Sequence, residues 1–244
     1  ANIYKELKNI NNSIAFFKKA IELNPNYINA LYNLGVVYFE IDKYEESSAY
    51  FKKVLEINPK HLATLNNFGL LLKKTKKYDE ALKCFKKAIN IDSNFLQAYN
   101  NIGTISLELG NIKDAIFNYE KVLQISPDNF ISYKNLLATY ENSNQIKKYE
   151  KTLKLTKKKF PNEKILELYK GILFFRKKKF KESIKYLDKI SFIKENETEI
   201  KRIFFLARAY DRIDKTDEAF KFFKLGNKLG NGTFEAKQFD KNRY

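Results

Sequence analysis

Residues that build disulfide frameworks, turns and metal sites are scarce in this chain of 244 residues. It contains one Cys, one His, four Pro and eight Gly. A single Cys excludes an internal disulfide framework and any zinc or iron–sulfur site with several cysteine ligands, and it is compatible with a reducing compartment. The few Gly and Pro argue against an all-β sandwich or barrel, which needs a turn about every 8 to 12 residues. We therefore expect a helical, cytoplasmic protein.

Long apolar runs and methionine are also missing. No apolar run approaches the about 18 to 20 residues of a membrane span, and the first residues lack the apolar core of a secretory signal. We therefore expect no membrane partner. Met is absent even from position 1, which is Ala1, so we expect the true N-terminus to lie outside this chain.

Apolar and basic residues are abundant. Hydrophobic residues make up 44% and aromatic residues 15% of the chain, which excludes a disordered or collagen-like polypeptide. Lys and Arg number 46 against 29 Asp and Glu, a net charge of +17 that suggests nucleic acid, anionic lipid or an acidic partner. Only five of the basic residues are Arg, however, and Lys, Asn, Ile, Phe and Tyr are all frequent, as A+T-rich codon usage would produce.

A period of 34 residues runs through the chain. The markers that stand 34 residues apart are Pro25, Pro59, Ser93, Pro127 and Pro161. Between two markers lies an apolar-periodic segment such as 30–41, a polar turn at 42–43 and a second apolar-periodic segment at 44–57. A repeat of this length and pattern predicts one helical hairpin per unit.

Small residues recur in both helices of the predicted hairpin. Those of the first helix are Gly35, Gly69, Gly103 and Gly171, and those of the second are Ser13, Ser47, Ala81, Ala115, Ser183 and Ala219. Gly weakens a helix by about 0.5 to 1 kcal/mol relative to Ala, so only close packing offsets its presence. We expect the two helices to approach where these columns meet, with the recurring aromatic residues as core.

The segment LYNLGVVYFEIDKYEESSAYFKKVLEINP resembles a tetratricopeptide repeat, with Leu in place of the usual Trp. The resemblance covers most of the chain and implies an all-α, right-handed superhelical solenoid of about six and a half hairpins. Residues 1–228 form this solenoid in our interpretation, and residues 229–244 form a C-terminal linker. Exposed ends of such an array allow self-association.

One repeat departs from the pattern. Leu137 stands where Gly is expected, and the bulky Tyr149 occupies the small-residue column of the second helix. We expect close approach of the helices to fail there, which predicts a seam near residues 137–165. Because repeat arrays have only neighbour contacts, one poor junction divides them without unfolding either side.

Catalytic chemistry finds little support in the sequence. His61 and Cys84 have no recognisable triad partners, and the Gly-rich segment 225–234 lacks a GK[ST] motif and follows a helix. No zinc-protease motif, phosphate-binding loop or dinucleotide fingerprint is present. We expect no catalytic residue, no metal site and no cofactor, and we predict that this chain is not itself an enzyme.

One asparagine column favours binding. Asn33, Asn67, Asn101 and Asn135 hold the same position in four successive first helices and face away from the hairpin partner. In the tetratricopeptide repeat family the first helices line the concave surface. A carboxamide both donates and accepts hydrogen bonds, so such a row can hold the backbone of an extended peptide. At about 10 Å per helix, three intervals span about 30 Å, or about nine extended residues.

The groove beside this column is mixed in polarity. Its predicted lining residues are Tyr32, Val36, Phe39, Asn66, Leu70, Asn100, Thr104 and Lys134. The column resembles the asparagine ladder in the repeat superhelix of O-linked N-acetylglucosamine transferases. In the alternative interpretation, the column is inherited by duplication and each Asn bonds a neighbouring helix. The family's basic clamp for a C-terminal carboxylate is not matched, since Tyr32, Val36 and Gln97 fall where its Lys and Asn would lie.

Two further features keep other functions open. Lysines are dense between residues 147 and 189, so nucleic acid or another polyanion is a weaker alternative partner. The segment 206–244 resembles the closing repeat and linker before the sulfotransferase domain of bacterial tetratricopeptide-sulfotransferase proteins, which implies a recruiting arm or a segment contributing to the active site of a larger transferase. Our main prediction is a scaffold that binds a protein or peptide ligand in extended conformation.

Overall fold

A computed structural model gives the fold of this chain. It describes residues 2–190 and 197–230, and of residues 2–8 it gives only the helical backbone. Within these ranges the chain forms thirteen α-helices joined by short turns. Their bounds are α1 Asn2–Leu23, α2 Ile28–Glu40, α3 Tyr44–Ile57, α4 Leu62–Lys74, α5 Tyr78–Ile91, α6 Leu96–Glu108, α7 Ile112–Ile125, α8 Phe130–Asn142, α9 Ile146–Lys159, α10 Ile165–Arg176, α11 Phe180–Asp188, α12 Glu197–Asp211 and α13 Thr216–Leu229.

The helices follow the predicted repeat. From α2 onward they alternate as first and second helices of six hairpins in the described ranges, with α1 before them. The all-α array of about six and a half hairpins is therefore confirmed. The sequence predicts a helix from residue 12 in the first unit, whereas α1 already begins at Asn2. Neither Pro nor Gly occurs between residues 2 and 23, so nothing in this segment interrupts the helix.

Each hairpin turns through one residue with left-handed backbone. These residues are Asp42, Lys76, Gly110, Asn144, Lys178 and Asp214, with φ between 56° and 78°. The backbone N–H of the residue after this turn residue donates to the carbonyl five positions before it, as the Lys43 N–H does to the Tyr38 carbonyl at 2.8 Å. This bond satisfies a carbonyl at the end of the first helix and stops that helix. The second helix then begins at once, often with acidic side chains that favour its N-terminal dipole, as in α5 with Asp79 and Glu80.

The glycine column makes room for an aromatic ring of the second helix. A Cβ added at Gly35 would lie 2.7 Å from Phe51 Cε1, and one added at Gly69 would lie 2.6 Å from Phe85 Cε1. The small-residue column lies beside it, since Ser47 Oγ donates to the Gly35 carbonyl at 2.7 Å. The two columns therefore meet as the sequence predicts, and the close approach is between a ring and a helix backbone.

The chain divides into two compact units, residues 1–127 and 128–244. The core of the first unit is continuous from α3 to α6 and includes Phe51, Phe68, Phe85 and Ile102. The boundary at residue 127 falls at the start of the repeat that departs from the pattern. A seam at residues 137–165 stays a prediction.

In the second unit the departing repeat buries its two unusual residues completely. Leu137 and Tyr149 are both 0% exposed. The Tyr149 hydroxyl donates to the Tyr169 carbonyl of α10 at 2.7 Å, and burial raises the pKa of this phenol well above 10, so it stays a donor. The bulky residue in the small column therefore donates its hydrogen bond to the next repeat rather than to its own hairpin.

A buried carboxylate joins three first helices of the second unit. Glu141 in α8 is 3% exposed and forms ion pairs with Arg176 in α10 and Lys201 in α12. Arg176 Nε donates to Glu141 Oε1 at 3.1 Å, and Lys201 Nζ lies 3.0 Å from Oε2. Burial acts to raise the pKa of this carboxyl, but Lys201 and Arg176 outweigh it, and the net pKa is lowered. The carboxylate is therefore charged in the folded protein at neutral pH.

Candidate peptide-binding surface

The first unit contains three members of the asparagine column, in α2, α4 and α6. Asn33 is exposed, whereas Asn67 and Asn101 are half-buried. Because the column faces away from the hairpin partner, we expect its side chains to be exposed, and for Asn67 and Asn101 this expectation is wrong. The physical reason is that each of them bonds a residue of the preceding first helix, which draws its carboxamide against the neighbouring repeat.

These bonds form one row of side chains across three helices. Asn101 Nδ2 donates to Asn66 Oδ1 at 2.9 Å, and Asn66 Nδ2 donates to Asn67 Oδ1 at 3.2 Å. Asn67 Nδ2 in turn donates to the Tyr32 hydroxyl at 2.9 Å. We call Tyr32, Asn66, Asn67 and Asn101 the carboxamide row. Asn67 and Asn101 thus each bond a neighbouring helix, as the alternative interpretation of this column expects.

The sequence contains a signal for this row that its column pattern does not. Both bonds between helices join residues 35 apart, Tyr32 with Asn67 and Asn66 with Asn101. A side chain of one first helix therefore meets the residue one position earlier in the preceding repeat. A search for polar pairs at a separation of 35 would have found both bonds.

The predicted groove residues of the first unit are all half-buried. They are Tyr32, Val36, Phe39, Asn66, Leu70, Asn100 and Thr104. Val36, Phe39 and Leu70 pack against the core of this unit, so each offers only part of its surface to a ligand. Burial raises the pKa of Tyr32, although its hydrogen bond with Asn67 lowers it in part, so this phenol stays protonated at neutral pH.

Two predicted residues belong to the second unit. Asn135 and Lys134 are half-buried in α8, and the Asn135 carbonyl accepts a hydrogen bond from Thr139 Oγ1 at 2.7 Å. Lys134 Nζ lies 5.4 Å from the centre of the Phe130 ring, which places its charge over an aromatic face. The structure thus links Asn67 and Asn101 through Asn66, and it places Asn135 in a separate unit.

The two residues considered for catalysis have structural contacts. His61 caps α4, because its Nδ1 accepts from the Thr64 N–H at 3.3 Å. Cys84 packs against the core of the first unit, and burial, with a smaller effect of Glu80, raises its pKa to about 11. It is therefore a thiol at neutral pH and a weak nucleophile. In the described ranges no three His, Cys, Asp or Glu side chains lie together in a way that holds a metal ion.

Comparison with known families agrees with the geometry of the hairpins. Family models described as "Tetratricopeptide repeat" and "TPR repeat" match residues 27–94 and 60–128 and residues 1–42, respectively. The chain belongs to the tetratricopeptide repeat family. A comparison with curated proteins gives no match.

Several solved structures share this fold at low sequence identity. A repeat protein from Parabacteroides merdae is 16% identical, with 97% of this chain and 93% of that chain covered at a TM-score of 0.74. PilF of Pseudomonas aeruginosa is 16% identical, with coverages of 87% and 96% and a TM-score of 0.66. A chain of the Cut9–Hcn1 hetero-tetramer is 13% identical, with coverages of 93% and 45% and a TM-score of 0.73.

The resemblance of segment 206–244 to tetratricopeptide-sulfotransferase proteins stays a prediction. Its first part lies in α12 and α13, and α13 ends at Leu229 with Gly230 as its cap residue. Residues 231–244 of the predicted linker lie outside the described residues. No helix of the described ranges has both the length and the apolar character of a membrane span.

Proposed function

We propose that this tetratricopeptide repeat chain is a protein–protein interaction scaffold whose first unit holds an extended segment of a partner protein along Asn33 and the carboxamide row. The proposal assigns no reaction to the chain itself. The resemblance of segment 206–244 to the linker of tetratricopeptide-sulfotransferase proteins supports a role as the recruiting arm of a larger transferase. The single Cys84 is compatible with a cytoplasmic location.

The observation that carries the proposal is the carboxamide row. A carboxamide has two N–H donors and an oxygen that accepts two hydrogen bonds. The recorded bonds of Asn67 use one donor and one acceptor position, so one of each remains for a ligand within the described part of the chain. The row also fixes the orientation of its side chains before a ligand arrives, which reduces the entropy lost on binding.

The length of the asparagine column in the first unit sets the length of the ligand. Asn33, Asn67 and Asn101 lie on three successive first helices, so the column has two intervals in this unit. At about 10 Å for each interval it spans about 20 Å, which is the length of about six extended residues. The half-buried Val36, Phe39 and Leu70 add apolar surface for alternate side chains of the ligand.

Peptides selected from a random library against the full chain provide the probes for a test. For a selected peptide that binds in the first unit, Asn33→Ala and Asn101→Ala should each weaken binding about fivefold or more, the effect of one lost hydrogen bond of about 1 kcal/mol. Fluorescence anisotropy of the labelled peptide measures the affinity. Asn33 is exposed, so its substitution should leave the melting temperature unchanged.

Asn90→Ala is the matched control, because Asn90 is an exposed residue of the second helix α5. It should not change the affinity. If the selected peptides bind all of these variants equally well, the peptide-binding proposal is wrong. If they bind only by their negative charge, with an affinity that falls steeply with salt, the lysine surface and a polyanionic partner explain the binding.

A further inference from the structure

A second potential site lies in the other unit, between α9 and α10. The structure has a pocket of about 410 Å³ there, and its two apolar lining residues are Leu153 and Leu173, which are 5% and 8% exposed. Four lysines and one carboxylate also line it, and these are Lys154, Lys157, Lys158, Lys170 and Glu150. The α9 residues follow one another at positions 150, 153, 154, 157 and 158, which is a single stripe of the helix facing α10.

The repeat register shows that charged side chains of this pocket stand where earlier repeats have apolar ones. Lys157 and Lys170 occupy columns that are apolar in the earlier repeats, and Leu153 occupies a column that is aromatic there. In the column of Lys157 these residues are Ile21, Leu55, Ile89 and Leu123; in that of Lys170 they are Leu34, Phe68, Ile102 and Leu136; in that of Leu153 they are Phe17, Phe51, Phe85 and Tyr119. Two charges and a smaller side chain therefore stand where three apolar groups pack elsewhere.

Such a replacement needs a physical reason. A lysine in a core column either costs stability or keeps its ammonium group in water or on a partner. Lys170 is half-buried, and its Nζ lies 4.4 Å from the centre of the Tyr186 ring. Departures from a local folding rule are expected at functional sites, where the loss of packing has another use.

The charges of the pocket are only partly compensated. Lys157 forms an ion pair with Glu167, and Glu150 is held by Lys177 at 2.5 Å. Within residues 2–190 and 197–230, the structure records no carboxylate partner for Lys154, Lys158 or Lys170. In the described part of the chain, three positive charges of the pocket therefore have no carboxylate partner, although Glu150 also lines the pocket.

We propose that this pocket binds a small phosphate monoester with an apolar body. A phosphate monoester carries a charge of about −1.5 to −2 at neutral pH and three strong acceptor oxygens, which suit several lysine ammonium groups around one position. Its apolar part would lie against Leu153 and Leu173. The volume is in the range of about 300 to 1,000 Å³ that small-molecule sites occupy.

Phenyl phosphate is the probe for this site, titrated into the full chain by calorimetry. It should bind saturably and about tenfold or more tightly than inorganic phosphate, which has no apolar part to bury. Benzoate should also bind at least about tenfold more weakly than phenyl phosphate, because its carboxylate carries one charge and two acceptor oxygens.

Two pairs of substitutions test the location. Lys154→Gln with Lys158→Gln removes two charges of the pocket at exposed positions and should weaken phenyl phosphate binding about tenfold or more. Lys52→Gln with Lys86→Gln removes two exposed charges from the same column as Lys154, in α3 and α5, and should leave the affinity within about twofold.

Restoring the repeat pattern is the sharpest variant. The double variant Lys157→Leu with Lys170→Leu introduces Leu at both positions. Leu is the residue that the preceding repeat has in these two columns, at positions 123 and 136. We expect binding to be abolished without a fall in melting temperature, because the earlier repeats carry apolar residues in these columns. If this pair fails to fold, the exposed pair at 154 and 158 still decides the question.

Three results would overturn the proposal. The first is no saturable binding of phenyl phosphate at millimolar concentration. The second is an equal loss of affinity in the pocket pair and in the α3 and α5 pair, which would show attraction by net charge alone. The third is a phosphotyrosyl pentapeptide that binds more than about tenfold tighter than phenyl phosphate, which would assign the pocket to a modified partner protein.

Discussion

At the scale of single residues, the glycine column sets how closely the two helices of a hairpin pack. Replacing Gly by Ala within a helix normally stabilises it by about 0.5 to 1 kcal/mol. At Gly69 the added Cβ would lie 2.6 Å from Cε1 and 2.7 Å from Cζ of Phe85, a ring that is itself 0% exposed. Because the ring is buried, we expect the cost of overpacking to exceed the gain in helix propensity. The net effect of the substitution on stability should therefore be unfavourable.

We therefore predict that Gly69→Ala destabilises the protein by about 1 to 2 kcal/mol, as overpacked cores do. Urea unfolding followed by circular dichroism measures the change. A gain in stability for the single variant would contradict the packing seen at this column.

At the scale of the hairpin, the turn residue with positive φ is a source of strain. A residue other than Gly in the left-handed region costs about 1 to 2 kcal/mol, and Gly occupies it freely. Of the six turn positions, only Gly110 has this freedom, and a Cβ added there would meet nothing within 4 Å. The cost of a side chain at Gly110 would therefore be one of backbone conformation alone.

We predict that Lys76→Gly stabilises the protein by about 0.5 to 1 kcal/mol, after the entropy cost of Gly in the unfolded chain is included. Lys76 is exposed and has φ of 61°, so no packing is lost. Thermal unfolding measures the effect. Gly110→Ala is the reciprocal variant and should lose about 1 kcal/mol. Equal melting temperatures for all three proteins would show that these turns carry no strain.

The elements themselves could be predicted from the sequence, because the signals that form them are local. The period of 34 residues places the second helix of the best repeat at 44–57, where the structure has Tyr44–Ile57, and its first helix at 30–41, where the structure has Ile28–Glu40. Contacts between repeats are harder to predict from the sequence. They depend on how one hairpin rotates against the next, and only the recurring separation of 35 residues records that rotation in the sequence.

The candidate sites show the same limit. The asparagine column is visible as a repeat of one residue type, but the half-buried positions of Asn67 and Asn101 follow from their bonds to the preceding first helix. The pocket between α9 and α10 has a signal that a count of lysines does not show, because Lys157 and Lys170 stand in columns that are apolar in the earlier repeats. Comparison of columns rather than of local composition reveals it.

At the scale of the whole molecule, stability is built up from neighbouring repeats. Glu141 joins three of them in the second unit, and its lowered pKa makes this contribution depend on pH. A carboxyl whose pKa is lower in the folded state stabilises the protein fully above its ordinary pKa of 4.5. That stabilisation is lost as the pH falls from 4.5 through the lowered pKa of the folded state.

We predict that Glu141→Gln costs about 2 kcal/mol at pH 7, because Arg176 and Lys201 lose a charged, hydrogen-bonded partner. The difference between the variant and the native protein should shrink as the pH falls below 4.5, where the native carboxyl becomes protonated. Urea unfolding at several pH values measures it. Glu150→Gln is the control from the same unit, since its pair with Lys177 is 50% exposed on the Glu side and should contribute little. A constant difference between Glu141→Gln and the native protein across this pH range would mean that the cost arises from packing and not from the charge of the carboxylate.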